Sequence, residues 1–121
     1  MGNEFLKVHA DHRGELFEVI NVSGTQFILI TRPGVTRGNH YHKAKTEAFT
    51  IISGKGVIHT RDRSTGKLES YKLNSDCPQI VAFPPNVTHS VENTGIENMV
   101  LLVQSNQVYD EGHSDTYSEK V

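Results

Sequence analysis

Residues 34–54 carry the pattern that decides the fold, and they read GVTRGNHYHKAKTEAFTIISG. Glycines stand at both ends, and between them lie two histidines one residue apart, His40 and His42, followed by Glu47. Alternate residues of a β-strand project to the same face of a sheet, so both imidazoles can point at one ion. The stretch therefore predicts a strand that carries metal ligands.

A second segment, residues 84–93 with the sequence PPNVTHSVEN, adds His89 to this set. A single histidine is more often a surface or core residue than a ligand, but the combination of the two segments favours a metal site over chance. Three imidazoles and one carboxylate suit Zn, Fe, Mn, Co or Ni and leave positions open for water or a substrate. The predicted ligands are His40, His42, Glu47 and His89.

The rest of the chain consists largely of short β-branched and aromatic runs separated by turn residues. We find no long amphipathic helix, internal repeat or linker in the sequence. Regularly spaced short strands indicate a sandwich or a barrel. We therefore expect an all-β fold, a small β-barrel or jelly roll, built as a single domain from residues 1–121 with a polar C-terminal extension over 110–121. The predicted strands are 16–20, 26–30, 49–52, 56–60, 80–83 and 99–103.

Composition narrows the classes of protein further. A chain of 121 residues is long enough to bury a core as one domain. Its single cysteine excludes an intramolecular disulfide framework and fits a reducing compartment, so a cytoplasmic location is expected. No apolar run approaches the ~20 residues that span a bilayer. The formal net charge of −2 argues against a nucleic-acid partner.

The distribution of charge is more informative than its sum. Residues 32–67 contain eight lysines and arginines and only two acidic residues, and they surround the predicted metal site. A local excess of positive charge favours an anionic substrate, such as a nucleotide-linked sugar. Arg37 and Arg61 are the candidates for binding the diphosphate.

Residues 34–54 and 84–93 resemble the two signature motifs of the cupin superfamily, whose members are small β-barrels. Asn86 stands where the second motif usually has glycine. Because asparagine tolerates a left-handed backbone, the turn is expected to form. Pro78 replaces another usual glycine, so the preceding loop is expected to differ.

A narrower resemblance covers nearly the whole chain. Residues 11–16 (DHRGEL), residues 33–42 (PGVTRGNHYH) and the ending around Tyr109, Asp110 and Asp115–Tyr117 resemble the C-terminal cupin domain of the CapF-type capsular polysaccharide enzymes. The resemblance implies zinc and epimerisation at C3 of a nucleotide-linked 4-keto-6-deoxy sugar in surface polysaccharide biosynthesis. It also implies a homodimer, with residues 1–20 as the region that lies against the partner. The sequence has no Gly-rich dinucleotide fingerprint, so the reductase half of those enzymes is not represented in it.

Other functions stay open at this point. Nucleotide-sugar 3,4-ketoisomerases share the stretch at residues 37–43 (RGNHYHK), but they tend to have glutamine where this chain has Glu47 and work without a metal. A non-catalytic sugar-binding or sensory cupin module is the alternative from a different class, and a dioxygenase would require Fe(II). Glu47 favours the metal-containing branch.

The expected chemistry is removal of a proton from the carbon next to a ketone. A divalent cation would stabilise the resulting enolate oxygen. Rhamnose-pathway 3,5-epimerases also carry the Arg-Gly-x-His stretch, and resemblance to them would make His40 the base. A histidine bound to a metal cannot also take a proton, so His40 cannot have both roles. The candidate proton carriers are therefore Lys45, His59 and Tyr71, with Tyr41 less favoured because it should point away from His40. For His59, a position on the outer face of the barrel is equally compatible with the sequence.

Overall fold

A computed structural model of the chain describes residues 2–5, 8–17, 24–108, 112 and 114–121. These residues form strands, turns and loops, and no α-helix occurs among them. None of the described segments is a helix long and apolar enough to cross a membrane. The strands are β1 (Gly2–Phe5), β2 (Val8–Asp11), β3 (Gly14–Phe17), β4 (Gln26–Thr31), β5 (Thr36–Tyr41), β6 (Glu47–Ser53), β7 (Lys55–Asp62), β8 (Leu68–Asn74), β9 (Gln79–Phe83), β10 (Val87–Asn93), β11 (Met99–Ser105) and β12 (Tyr117–Ser118).

Two five-stranded antiparallel sheets make up most of the molecule. One has the strand order β1-β9-β6-β11-β4, the other has the order β12-β5-β10-β7-β8, and β2 pairs with β3 in a separate hairpin. The buried apolar cluster takes side chains from both five-stranded sheets, so their inner faces enclose one core. Its members are Phe49, Ile51, Ile58, Leu73, Val81, Phe83, Val87, Val91, Met99, Leu101 and Val103.

The all-β prediction is confirmed, and most predicted strands are found at or near their expected positions. The strand predicted over 16–20 begins earlier, at Gly14, and its residues 18–20 lie outside the described part of the chain. β8 was not among the predicted strands, because its inward and outward positions are only weakly distinguished in the sequence. The left-handed turn expected at Asn86 is present, with φ 71°.

The two ends of the chain add strands to the edges of the sheets. β1 pairs with β9 of its own chain, and β12, in the C-terminal extension, pairs with β5. Pairing removes exposed edge hydrogen-bonding groups from both outer strands. Residues 1, 6, 7 and 18–20 of the region predicted to contact a partner lie outside the described residues, and the homodimer stays a prediction.

Candidate metal centre

A β-bulge in β5 sets the position of the first histidine. His40 pairs with His89 on β10, but Gly38 pairs with the next residue, Ser90, so Asn39 is the extra residue of the bulge. Gly38 has φ 97° and Asn39 has φ 55°. A Cβ at position 38 would lie 3.1 Å from the His89 carbonyl oxygen, so glycine is needed for this close approach. The bulge thereby brings His40 directly across from His89.

Three histidines converge at this point. His40, His42 and His89 each offer a ring nitrogen, and these nitrogens all lie within 4.8 Å of one another. His42 and His89 are buried, with 5% and 1% of their surface exposed, while His40 is partly buried. The cluster lies at the edge of the core, where the His89 ring packs against Phe83 with 4.5 Å between centroids. Three of the four predicted ligands therefore could hold one metal ion.

The outer nitrogens of two of these rings are held by backbone carbonyls. Nδ1 of His42 lies 2.6 Å from the carbonyl oxygen of Asp115, and Nδ1 of His89 lies 3.0 Å from that of Val87. A carbonyl oxygen can only accept a hydrogen bond, so each Nδ1 must carry the hydrogen. In the neutral rings, both Nε2 atoms therefore present a lone pair to the interior of the site.

Glu47 faces these lone pairs. Its Oε1 lies 2.8 Å from Nε2 of His42 and 3.4 Å from Nε2 of His89. These three buried atoms have no hydrogen-bond partner among the described residues. When both rings are neutral, two lone pairs and a carboxylate oxygen at these distances repel one another unless a proton or a metal cation lies between them. The donor set and its orphaned atoms therefore fit a divalent metal ion.

The ionisation of the site is set by burial and by neighbouring charges. Burial, and then repulsion from His89 and His42, lower the pKa of His40 to about 4. Burial opposes the negative charge of Glu47, but the hydrogen bonds and attraction that protonated His42 and His89 rings would provide outweigh this effect and hold the pKa of Glu47 well below its ordinary value. A neutral His40 and a charged Glu47 are the forms that bind metal.

A cleft of about 220 Å³ opens onto the cluster. Its polar lining includes Arg37, His40, Glu47 and His89, and Phe27 and Leu29 of β4 belong to its apolar lining. Arg37 is exposed, and its Nη1 donates a hydrogen bond to the carbonyl of Ile30 at 3.2 Å. Arg37, one of the two residues predicted to bind the diphosphate, thus lies in the cleft beside the candidate metal ligands.

The structure does not bring His59 to the cluster. On β7, Thr60 pairs with His89 and is fully buried, so the adjacent His59 projects from the opposite face of the sheet. There its Nδ1 lies 2.9 Å from Ser70 Oγ and its Nε2 lies 3.2 Å from Glu92 Oε1. Of the two positions that the sequence left open for His59, the structure has the outer face and not the inward, substrate-facing one, because successive side chains of a strand alternate.

Arg61 lies on the same outer face as His59, for the same reason. Its guanidinium donates a hydrogen bond to the carbonyl of Lys120 and lies 3.9 Å from the carboxylate of Glu119. Arg61 does not line the cleft beside the histidines. Of the two arginines predicted to bind the diphosphate, Arg37 lines this cleft and Arg61 does not.

Tyr71 also lies away from the cleft. It belongs to β8, which is separated from β5 by β10 and β7, and its hydroxyl donates a hydrogen bond to Glu69 Oε2 at 2.6 Å. Burial and this hydrogen bond raise the pKa of Tyr71 to about 12. Tyr71 does not line the cleft beside the histidines, and its raised pKa disfavours it as a base.

Lys45 lies close to the cluster, in the loop between β5 and β6. It lies two residues before Glu47, the residue whose carboxylate faces His42 and His89. Its backbone N–H donates a hydrogen bond to Oδ2 of Asp115 at 3.2 Å. Among the three predicted proton carriers, Lys45 is the one that the fold keeps near the site.

The contacts of Asp115 were not anticipated from the sequence. Asp115 belonged to the stretch that carries the family resemblance, but nothing local indicated its partners, which are some seventy positions earlier in the chain. Its carboxylate accepts hydrogen bonds from the backbone N–H groups of Lys43, Ala44 and Lys45. Burial opposes its charge, but these bonds hold the pKa of Asp115 below its ordinary value.

Comparison with known families and curated proteins supports the expected relationship. The family model described as the polysaccharide biosynthesis C-terminal domain matches residues 9–117. A curated protein of Pseudomonas aeruginosa, UDP-2-acetamido-2,6-beta-L-arabino-hexul-4-ose reductase, is 37% identical over 113 residues, which are 92% of this chain and 30% of that protein. The name of this relative agrees with the prediction of an enzyme.

Solved structures show the same relationship. The capsular polysaccharide assembling protein CapF from Staphylococcus aureus superposes with a TM-score of 0.78 at 36% identity, covering 96% of this chain and 34% of CapF. A dTDP sugar isomerase from Desulfovibrio desulfuricans shares the fold, with a TM-score of 0.84 at 15% identity, 99% of this chain and 82% of that one being covered. This chain spans about a third of the length of CapF and of the curated relative. The resemblance to the CapF-type domain and the cupin-like barrel are confirmed.

Proposed function

This chain belongs to the polysaccharide biosynthesis C-terminal domain family. From that premise we propose that it epimerises C3 of a nucleotide-linked 4-keto-6-deoxy sugar at a metal site. The proposed ligands are His40, His42, Glu47 and His89. The observation that carries the proposal is the convergence of two Nε2 lone pairs and the Glu47 carboxylate beside a cleft that Arg37 lines. The curated relative is named for a UDP-linked 4-keto sugar, which supports this substrate class.

The four side chains would hold a divalent ion, and zinc is the proposed metal because the imidazole and carboxylate donors suit it. Such an ion would act as a Lewis acid on the ketone oxygen of the bound sugar. Arg37 would bind the diphosphate through charge-assisted hydrogen bonds at the entrance of the cleft. The apolar wall of Phe27 and Leu29 would exclude water from one side of the sugar.

Lys45 is the proposed proton carrier. It lies in the loop that leads into Glu47, and its backbone N–H is held there by Asp115. An amine at this position would accept the C3 proton at Nζ and hold it while the carbanion is delocalised onto the ketone oxygen. Inversion requires a proton to be added at C3 on the opposite face of the sugar, and this proton can come from solvent.

Proton exchange followed by NMR tests the proposal. Protein with and without chelator is incubated in D₂O with a UDP-4-keto-6-deoxy-N-acetylhexosamine, and Lys45→Met is measured alongside it. Deuterium entering C3 with the carbonyl kept at C4, and lost on metal removal and in Lys45→Met, is the expected result. Migration of the carbonyl from C4 to C3 would make the protein a 3,4-ketoisomerase. Absence of exchange in metal-loaded protein would contradict an enzyme for this substrate and favour a sugar-binding module.

A further inference from the structure

The last residues of the chain form a strap, residues 115–121, along the outer edge of β5. Tyr117 and Ser118 pair with Tyr41 and His40, and the backbone N–H of Glu119 donates to the carbonyl of Asn39 at 2.9 Å. The strap therefore runs beside the strand that carries His40 and ends next to the bulge that positions it.

Side chains attach both halves of the strap to the barrel. The ring of Tyr117 stacks on Tyr41 with 5.3 Å between centroids, and Lys43 Nζ lies 4.3 Å from the Tyr117 ring centroid. Further along, Glu119 accepts a hydrogen bond from Arg63 Nε at 2.7 Å. These contacts hold the strap on the outer face, so it does not itself enter the cleft.

Asp115 attaches the beginning of the strap to the loop after β5. Its carboxylate accepts hydrogen bonds from three consecutive backbone N–H groups, those of Lys43 at 2.9 Å, Ala44 at 2.8 Å and Lys45 at 3.2 Å. Hydrogen bonds from several N–H groups to one carboxylate fix the carboxylate and the loop relative to each other. This loop connects His42 to Glu47, so the bonds span the segment between two candidate metal ligands.

The backbone carbonyl of the same residue contacts the first of those ligands. The Asp115 oxygen lies 2.6 Å from Nδ1 of His42 and leaves Nε2 free to face Glu47. For His89, the equivalent acceptor is Val87, two residues away on the same strand. His42 differs in that its acceptor is supplied by a distant segment of the chain, which has to be held in place.

We propose that Asp115 is a positioning residue for the metal site: its side chain holds the strap so that its own carbonyl keeps His42 in the Nδ1–H tautomer, with Nε2 available to bind the ion. The inference rests on the proposed function, because the ion that His42 binds is the proposed divalent metal. The tautomer of His42 is, however, a property of the metal-free protein. A hydrogen-bond acceptor for the second nitrogen of a ligating imidazole typically contributes ~10–100-fold to metal affinity.

A strap that only covers the edge of the sheet would predict something different. In that case, loss of Asp115 would lower the stability of the whole barrel without selecting one histidine. Positioning predicts that His42 changes while His89 does not, because the His89 acceptor lies within β10 and does not depend on the strap. His89 is therefore the internal control of the experiment.

The test compares wild-type protein, Asp115→Ala and Glu119→Gln, which removes the carboxylate at the other end of the strap. ¹⁵N-histidine NMR of the metal-stripped proteins at pH 8 reports each tautomer, and competition with a chromogenic chelator gives the Kd for Zn²⁺. We expect a mixed tautomer at His42 only in Asp115→Ala, with Zn²⁺ binding weakened about 10–100-fold. Glu119→Gln should keep the wild-type tautomer and bind within about threefold of wild type, since it leaves the Asp115 contacts intact.

The remaining outcomes are equally decisive. An unchanged His42 tautomer in Asp115→Ala, or an equal change at His42 and His89, would overturn the inference. If Asp115→Ala does not fold, Asp115→Asn replaces it, because its amide oxygen still accepts hydrogen bonds from the loop but carries no charge. In that variant we expect a partial loss of the Nδ1–H tautomer of His42. No loss would overturn the inference. If wild-type protein fails to bind Zn²⁺, the proposed metal function is wrong, and the tautomer measurement still decides the role of Asp115.

Discussion

Glu47 illustrates how single residues determine the chemistry of the site. Its carboxylate is buried and lies within 3.4 Å of two imidazole nitrogens that carry no hydrogen when their rings are neutral. A buried charge in such surroundings is tolerated when a counter-charge neutralises it. At the level of the residue, the arrangement is therefore more consistent with ligation than with core packing.

Replacing Glu47 by glutamine tests this interpretation at constant size. Glu47→Gln removes the only negative charge of the proposed ligand set, so Zn²⁺ affinity should fall by more than about 100-fold, beyond the ~10–100-fold that supporting groups contribute. Chelator competition measures the Kd. Glu92→Gln, which removes a carboxylate from the outer face beside His59, is the matched control and should bind Zn²⁺ as wild type does. Equal affinities in Glu47→Gln and wild type would exclude Glu47 as a ligand.

Arg37 carries the prediction for substrate binding. Arg37→Ala should raise KM for the nucleotide sugar about 10–100-fold with little change in kcat, since a lost charge-assisted hydrogen bond costs about 1.5–3 kcal/mol. Steady-state kinetics measure both constants. Lys72→Ala, at an exposed position of β8, removes the same charge elsewhere and should leave KM unchanged. If the two variants behave alike, the diphosphate is bound at another place.

At the scale of elements, the bulge in β5 has the largest effect on the site. In a regular antiparallel pair with Gly38 opposite Ser90, His40 would face Thr88, whereas the shift between His89 and Ser90 places His40 opposite His89. The sequence pattern indicated a strand at this position but not its bulge. Bulges arise from the pairing of two strands, so one strand read alone does not reveal them.

Alanine at Gly38 should distort this element. The new Cβ would meet backbone atoms of His89 and Ser90 at 3.1 Å and 3.2 Å in a residue with φ +97°. We expect a loss of about 2–3 kcal/mol in the free energy of unfolding together with weaker Zn²⁺ binding. Urea denaturation measures the first and chelator competition the second.

Gly66→Ala is the control for backbone strain alone. Gly66 has a similar left-handed φ of +76° in the turn between β7 and β8, but a Cβ added there would meet no atom within 4 Å. Its loss should be near 1 kcal/mol, with unchanged Zn²⁺ affinity. Equal losses in the two variants would show that the close approach of β5 to β10 is not tightly constrained.

At the scale of the whole molecule, metal binding and folding are coupled. The proposed ligands lie on β5, β6 and β10 and in the loop after β5, and they come together only when the two sheets are packed. The apolar core itself consists of side chains other than these ligands, so the metal-stripped protein should remain folded. An ion that binds the folded state alone raises the free energy of unfolding by mass action.

Zn²⁺ at about 100 times its Kd should therefore raise the unfolding free energy of the stripped protein by about 2.7 kcal/mol. Denaturation curves with chelator and with added Zn²⁺ measure the difference. The same concentration of Zn²⁺ should stabilise Glu47→Gln much less, because its affinity is lower. A gain of the same size in both proteins would mean that the ion binds outside the proposed site.

The sequence by itself determined the all-β class and the proposed ligand set. Strand periodicity and turn residues are local properties, and the spacing of His40, His42 and Glu47 is contained within one short segment. The resemblance of residues 11–16 and 33–42 added the family, which the comparisons confirmed. These features can be recognised in the sequence without knowing which strands pair in the sheets.

Only the tertiary structure decided which side chains share the site. The outward positions of His59 and Arg61 follow from the register of β7 against β10, and the contact of Asp115 with His42 joins segments far apart in the chain. The orientation of the His42 imidazole likewise depends on a carbonyl that a distant segment supplies. Register and long-range hydrogen bonds result from packing the whole barrel, so no local pattern in the sequence encodes them.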